Sequence, residues 1–238
     1  MTSHHVKKVA VVTGASQGIG AGIVEAFRKS GYGVVGTSRN ISPSDDEGTL
    51  TVQGDIAEAA TAERVVAAAM EKFGRVDTLI NNAGIFISKP FTEYTQGDYE
   101  AVTRVNLTGF FRITQLVVEK MLSQGGGHIV NITTSLVDNA DSRVPSVLAS
   151  LTKGGLQSAT KSLAIEYATR GIRVNAVSPG NVNTPMHAVE DHEALAAMHP
   201  VGRLGEQSDI VDAVLYLENA PFVTGEILHV DGGMSAGR

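Results

Sequence analysis

The sequence predicts an α/β fold: a doubly wound parallel sheet of about seven strands with helices on both faces. Three observations predict it. Short β-branched runs alternate with helix-spaced runs along the whole chain. The first such run, Val9 to Val12, leads at once into Gly14, Gly18 and Gly20 and then into a helix-spaced stretch from Ala21 to Lys29. Each early strand run ends in polar or glycine residues, as it should where loops on one sheet edge build a site.

Taken in order, Lys8–Thr13 reads as the first strand and Gly18–Ser30 as the first helix. Gly33–Ser38 is a compact apolar strand, and 40–48 a polar, acidic loop. A short third strand, Leu50–Gln53, ends at Gly54-Asp55. Thr61–Phe73 has Ala, Val and Met on one side and Glu63, Arg64, Glu71 and Lys72 on the other, the pattern of a helix packed on a sheet. Thr78–Asn81 is the fourth strand, and Asp98–Ser123 a long helix in which Gly109 marks a close approach. Gly127–Thr133, Ile172–Val177 and Glu226–Val230 complete the strands, with a long helix over Leu148–Thr169. Successive β-α units are expected to wind right-handedly.

Composition bounds the function. The 238 residues contain no linker long enough to divide them, so 1–238 is expected to be one domain. A 42% apolar and 18% charged content is globular. The formal charge of −6 argues against a nucleic-acid surface. There is no cysteine, hence no disulfide or thiol chemistry. No apolar run approaches a bilayer's thickness, and the first eight residues lack a signal-peptide core. A cytoplasmic protein without membrane or nucleic-acid partners is the expectation.

The glycine turn carries the first chemistry. Glycines let backbone N–H groups approach a pyrophosphate, and a helix N-terminus adds the positive end of its dipole. The spacing is Gly-x3-Gly-x-Gly, which an ordinary strand–helix turn also permits. The strand exits then gather around it: Ser38-Arg39, Asp55, Asn81-Asn82-Ala83-Gly84, Thr133-Thr134-Ser135 and Ser178-Pro179-Gly180.

With those blocks in view the chain resembles the short-chain dehydrogenase/reductase superfamily, over nearly its whole length. The match runs through 13–20, Asp55, 81–84, Asn106 with Gly109, 178–180 with Thr184, and the terminal Asp231-Gly232-Gly233. The resemblance implies a Rossmann-type fold, a nicotinamide cofactor, hydride transfer between a carbonyl and an alcohol, and a homotetramer or homodimer. It makes Ser16, Gly18 and Ile19 the pyrophosphate cradle, with Gly14, Gln17 and Gly20 also cofactor-binding, and Asp55 and Ile56 the adenine contacts. It sets Asn82 and Ala83 beside the adenosine ribose, Lys153 on the nicotinamide ribose hydroxyls, and Pro179, Val182 and Thr184 against the carboxamide, with Gly84 and Gly180 also cofactor-binding. Simple turn packing and a helix N-cap account for Pro179, Val182 and Thr184 as well. At the second strand exit stand Ser38 and Arg39 where NAD binders carry an acid; an arginine fork pairs with a 2′-phosphate, which favours NADP over NAD. Gln17 fills the family's second basic position, and a solvated Arg39 is the alternative.

The departure is catalytic. The family's Tyr-x3-Lys helix here reads Ala149-Ser150-Leu151-Thr152-Lys153, and no tyrosine lies between Tyr99 and Tyr167. Residues four apart share a helix face, so Ala149 stands one turn before Lys153. The family's serine falls at Thr134, with Ser135 adjacent, and the following loop, 136–144, is about two residues longer than the pattern expects. Asn106, Thr134, Ser135 and Lys153 are the catalytic candidates. A placed general acid is worth about 10²–10⁴ in rate, roughly 3–5.5 kcal/mol, so losing the phenol cripples hydride transfer without forbidding it.

Three readings stand. Water linked to Lys153 and Asn106 supplies the proton, with Thr134 or Ser135 polarising the carbonyl. Asp138, Asp141 or Tyr94 is a relocated acid, although solvated loop charge, with Arg143 alongside, explains the aspartates. Or the chain is a non-catalytic NADP(H)-binding protein. The oxidoreductase is favoured because Lys153 and Asn106 are retained. After Pro185 a substrate-lid segment is expected around 185–205. It holds His187, a candidate substrate contact, and His192 and His199, which read as surface residues rather than metal ligands. No metal site is expected. Phe86, Phe91 and Met186 are candidate apolar pocket walls that core packing explains equally well. The lid gives no substrate signature.

Overall fold

The computed structural model describes residues 8–187 and 190–237, with no description of the His187 side chain. Seven parallel strands form one sheet in the order β3-β2-β1-β4-β5-β6-β7. They are β1 (Val9–Thr13), β2 (Gly33–Ser38), β3 (Thr49–Gln53), β4 (Thr78–Asn81), β5 (Gly127–Ile132), β6 (Ile172–Pro179) and β7 (Ile227–Val230). The helices are α1 (Gly18–Lys29), α2 (Ala59–Phe73), α3 (Gln96–Thr103), α4 (Phe110–Gln124), α5 (Val147–Tyr167), α6 (His192–Ala196) and α7 (Gln207–Asn219).

Period-two alternation along the strands divides the core into two layers. Val9 and Val11 of β1 join α2, α4 and α5 through Val65, Ala69, Ile113, Val117, Met121 and Ala164. Ala10 and Val12 join α1 and α7 through Ile23, Phe27, Ile210, Val214 and Leu217. β1 is wholly buried, which explains its continuous apolar run. The strand order reverses direction between β1 and β4, and such a switch point opens a crevice beyond the strand ends.

Two elements differ from the sequence expectation. The helix expected over 98–123 is α3 and α4 joined by a π-helical stretch, Arg104–Gly109. A π segment is rare and often marks a functional site; here it holds Asn106. Gly109 closes it, and a Cβ there would stand 3.0 Å from the Ile56 carbonyl oxygen. The second difference is α7, which has no counterpart among the expected elements. Its apolar residues Ile210, Val214 and Leu217 carry a helical spacing. Its start is fixed by a capping box between Glu206 and Asp209.

The opposite edge of the sheet is closed by a buried polar cluster. Glu218 of α7 accepts from His128 Nδ1 at 2.7 Å, Tyr32 OH at 2.8 Å and Thr78 Oγ1 at 3.1 Å. Asn175 Nδ2 donates to His128 Nε2 at 3.1 Å, so that nitrogen is an acceptor and His128 is the neutral Nδ1–H tautomer. Burial pushes the imidazole's pKa down to match, while those donors hold the Glu218 carboxyl down at about 2 against its own burial.

Candidate functional site

The exits of six strands line one cleft of about 500 Å³. Gly14 comes from β1, Ser38 and Arg39 from β2, and Gly54 and Asp55 from β3. Asn82, Ala83 and Gly84 come from β4, Thr133 and Thr134 from β5, and Pro179 and Gly180 from β6. Ser16, Gln17, Gly18, Ile19, Ile56, Val182, Thr184, Ala149 and Lys153 line it too. The sequence thus placed its candidates on one surface, with three exceptions: Gly20, Asn106 and Ser135.

Gly20 packs rather than lines. A side chain there would overlap the Gly14 carbonyl oxygen and crowd the Asn82 amide. Gly14 and Gly18 adopt φ of +66° and +57°, a region that costs a residue with a Cβ. Together they turn the chain so that α1 begins at the cleft. Its N-cap, Gln17, makes no side-chain cap, and its first turn carries no acid. The helix therefore presents free N–H groups and an uncompensated positive dipole end, which suits an anion.

The β4 exit is stapled to β1. Asn82 Nδ2 donates to the carbonyls of Thr13 and Gly14 at 2.9 and 3.1 Å. Thr13 Oγ1 accepts from the N–H groups of Asn82 and Ala83. The Asn82 side chain is thereby spent on holding the turn. One strand residue earlier, Asn81 Nδ2 reaches Thr114 Oγ1 and Asn131 Oδ1, tying β4 to α4 and β5.

On the far side of Gly84 stands Lys153. Its Nζ donates to the Ile132 carbonyl at 2.7 Å, and it makes no other hydrogen bond among the described residues. An ammonium has three N–H groups, so two remain for a ligand. Burial lowers its pKa from 10.5 to about 8, since the charged form loses water. A Cβ on Gly84 would lie 3.0 Å from Lys153 Nζ and 3.4 Å from Asn106 Oδ1, so glycine there lets the two side chains approach. Asn106 itself is buried outside the cleft. Its Oδ1 accepts from Ile85 N at 3.0 Å, and its Nδ2 donates to Ile85 O and to Thr152 Oγ1. It fixes the backbone beyond β4 and the α5 turn that carries Lys153.

Ala149 lines the cleft one helical turn before Lys153, although only 4% exposed. Apolar side chains line the same cleft: Ile85, Phe86, Leu136, Val144, Met186 and Leu195. Thr134 faces the cleft, and its Oγ1 accepts from Leu136 N at 3.3 Å, which leaves the hydroxyl proton free to donate. Ser135 is buried, its Oγ 3.9 Å from Met234 Sδ, and does not line the cleft. One residue of register at the β5 exit decides between the two.

None of the relocated acids lines the cleft. Tyr94 OH donates to the Ile87 carbonyl. The Asp138 carboxylate takes Gln157 and His229, and Asp141 takes the Arg143 guanidinium. Phe91 is 71% exposed and also outside, while Phe86 and Met186 are walls as expected. Cleft residues that the sequence reading missed include Val144, Asn181, Glu190 and Leu195, which lie in irregular or short elements with no periodic signal.

The His187 side chain, a candidate substrate contact, lies outside the described residues. His192 is exposed at the start of α6, as expected of a surface residue. His199 is a correction: it is 4% exposed. Asn181 N donates to its Nε2 at 3.0 Å, so Nδ1 carries the hydrogen and donates to Leu195 O at 2.9 Å. The ring joins the lid to the loop after β6, a contact distant in sequence and therefore invisible to local pattern. Among the described residues no group of histidines and acids is disposed to hold a metal ion. No helix among them is long and apolar enough to cross a membrane.

This fold and this arrangement of strand exits define a dinucleotide-binding α/β protein. The chain belongs to the short-chain dehydrogenase/reductase family of oxidoreductases. The family model described as enoyl-(acyl carrier protein) reductase matches residues 14–235. The chain is 38% identical over 242 residues to the 3-oxoacyl-[acyl-carrier-protein] reductase FabG of Aquifex aeolicus, covering 95% of this chain and 97% of that protein. It is 36% identical over 250 residues to 3beta-hydroxysteroid dehydrogenase 1 of Eggerthella lenta, covering 96% and 94%. Among solved structures, ElxO with NADP bound superposes with a TM-score of 0.90 at 29% identity, covering 97% of this chain and all of that one. The 3-ketoacyl-(acyl-carrier-protein) reductase of Brucella melitensis complexed with NADH gives 0.89 at 31% identity, covering 96% and 98%.

Proposed function

We propose that this chain is an NADP(H)-dependent oxidoreductase acting on a small carbonyl or alcohol, with Lys153 as the store of the transferred proton. One observation carries the reading: six strand exits, an uncapped helix N-terminus and a desolvated lysine share a single cleft.

The residues present fit a dinucleotide. Gly14, Ser16, Gln17, Gly18 and Ile19 form a turn whose N–H groups suit a pyrophosphate. Asp55 and Ile56 lie where an adenine would rest, and Ala83 and Gly84 along the chain from it to the nicotinamide. Pro179, Gly180, Val182 and Thr184 form the opposite wall. At the β2 exit the Ser38 Oγ is buried without a partner, and the Arg39 guanidinium has no partner among the described residues. A 2′-phosphate would satisfy both, which supports NADP over NAD. Neighbouring proteins in known structures carry NADP in one case and NADH in another.

When bound, the nicotinamide supplies or accepts a hydride at the substrate carbon. The chain's own groups handle the rest. Thr134 donates its hydroxyl hydrogen to the carbonyl oxygen, where negative charge develops. Ala149 stands where the family carries its tyrosine and leaves room beside Lys153. A water there, hydrogen-bonded to Lys153 Nζ, delivers the proton, with Asn106 holding Ile85 and Thr152 in place. The apolar walls exclude bulk water. The described part of the expected lid, pinned by His199 and facing the cleft through Met186, Glu190 and Leu195, covers the substrate. Exposed Phe111 on α4 and Val147, Leu151 and Ile165 on α5 support assembly into a homodimer or homotetramer.

The test is to titrate NADPH and NADH by fluorescence quenching and then follow NADPH oxidation against a panel of ketones and aldehydes. Tight NADPH binding with carbonyl-dependent oxidation supports the reading. Binding without oxidation of any substrate overturns the catalytic part and leaves a nucleotide-binding protein.

A further inference from the structure

We propose that the turn after β7, residues 231–235, is a bracket coupling the lid to Thr134, and that Asn139 is a positioning residue acting through it. This rests on the oxidoreductase reading above. The Asp231-Gly232-Gly233 block itself lies outside the cleft.

The turn is built to hold its shape. Asp231 is buried, and its carboxylate accepts from Gly233 N at 2.9 Å and Ser235 N at 2.8 Å. Its carbonyl accepts from Met234 N at 3.2 Å. Gly232 and Gly233 adopt φ of +60° and +92°, which a residue with a Cβ resists.

One side of the turn grips the segment that carries Thr134. Thr134 and Leu136 line the cleft. Val137 N donates to Thr134 O at 3.3 Å and Asn139 N to Ser135 O at 2.9 Å, so 134–139 is one folded unit. Asn139 Nδ2 donates to Met234 O at 2.7 Å, and the buried Ser135 Oγ lies 3.9 Å from Met234 Sδ. The other side grips the lid. Val201 N donates to Gly232 O at 3.1 Å. A Cβ on Gly232 would stand 2.7 Å from Val201 Cγ2 and 3.2 Å from His199 Cβ, and one on Gly233 would stand 3.2 Å from the Pro200 ring. Residues 199–201 thus pack directly on the two glycines. His199 in turn bonds Leu195 O, and Leu195 lines the cleft. A continuous path therefore runs behind the cleft from the Thr134 turn to the lid wall. Its middle element is stiff, so a displacement at one end is passed to the other.

The experiment uses the full chain. Asn139→Asp keeps the side chain's size and loses the donor to Met234 O. Hydrogen exchange by mass spectrometry compares it with the native chain. Peptides spanning 192–201 exchange about 2–10-fold faster, the worth of one hydrogen bond, although Asn139 makes no hydrogen bond to them among the described residues. Should that variant fail to fold, Asn139→Ala removes the same donor without adding a charge. NADPH oxidation with the fastest ketone of the panel above then separates kcat from KM. Thr134 acts on the carbonyl and the lid on bound substrate. Independent roles would let Asn139→Asp lower kcat alone and His199→Ala raise KM alone. With the bracket each variant moves both parameters by about 2–10-fold, and the double variant is within about twofold of the worse single one. Unchanged exchange over 192–201, or each variant moving only its own parameter, overturns the bracket while leaving the oxidoreductase standing. Failure to oxidise NADPH with any ketone overturns the oxidoreductase reading instead, and the exchange rates still decide the bracket.

Discussion

Lys153 Nζ donates a 2.7 Å hydrogen bond to the carbonyl of Ile132, the last residue of β5. That bond anchors an ammonium at the edge of the cleft while the rest of its hydrogen-bonding capacity stays unspent. It fixes the position of the charge by backbone.

The desolvated lysine has a stability signature. Its folded pKa, about 8, lies below the 10.5 of the free side chain. Between those values the unfolded chain binds more protons, so stability rises with pH from about 8 to 10.5 and is flat below 8. The constant penalty below 8 is on the order of 3 kcal/mol. Lys153→Met removes this rise. Urea unfolding of both chains at pH 7 and pH 10 measures it: the variant's advantage at pH 7 shrinks at pH 10.

Restoring a phenol tests the layout of the pocket. Ala149→Tyr sets a hydroxyl one turn from Lys153 in a space that already opens into the cleft. Turnover of a plain ketone rises by about 10²-fold or more, with NADPH affinity unchanged. Steady-state kinetics with acetophenone and fluorescence quenching check the two halves.

The phosphate assignment depends on one side chain. Arg39→Ala weakens NADPH by about 10–100-fold, the worth of a charged hydrogen-bonded pair, and NADH by less than about twofold. Equal losses for both would remove the 2′-phosphate from Arg39. The NADPH loss also shrinks at high salt, because Arg39 is exposed.

The lower edge of the sheet governs acid stability. His128, Tyr32 and Thr78 hold Glu218 as a carboxylate with a pKa of about 2, below its usual 4.5. That stability is present above pH 4.5 and is lost as pH falls towards 2. Glu218→Ala leaves the buried donors of His128 and Tyr32 without their acceptor and costs about 1–3 kcal/mol for each at pH 7. Denaturant unfolding between pH 2 and 7 shows a shallower acid decline in the variant.

Much of this was legible because it is local. β1 and its glycines announced a strand, a turn and an anion-facing helix, and every strand-exit residue named from sequence lines the cleft except Asn81, Ser135 and Ser178. What was hidden depends on contacts across the chain. Ser135 differs from Thr134 by one position of pleat. The π-helical turn sits where Asn106 bonds Ile85 and Thr152, partners 21 and 46 residues away in sequence. His199 reads as a surface histidine until Leu195 O and Asn181 N are placed beside it. α7 carries a usable signal in Ile210, Val214 and Leu217 that the sequence reading does not assign.

The most direct test is the pH profile of kcat for carbonyl reduction with saturating NADPH. With Lys153 as the proton store, the rate is flat below about pH 8 and falls above it as the ammonium loses its proton. In Lys153→Met the residual rate has no break there. A native profile level from pH 7 to 10, or a break that persists in the variant, would contradict the account.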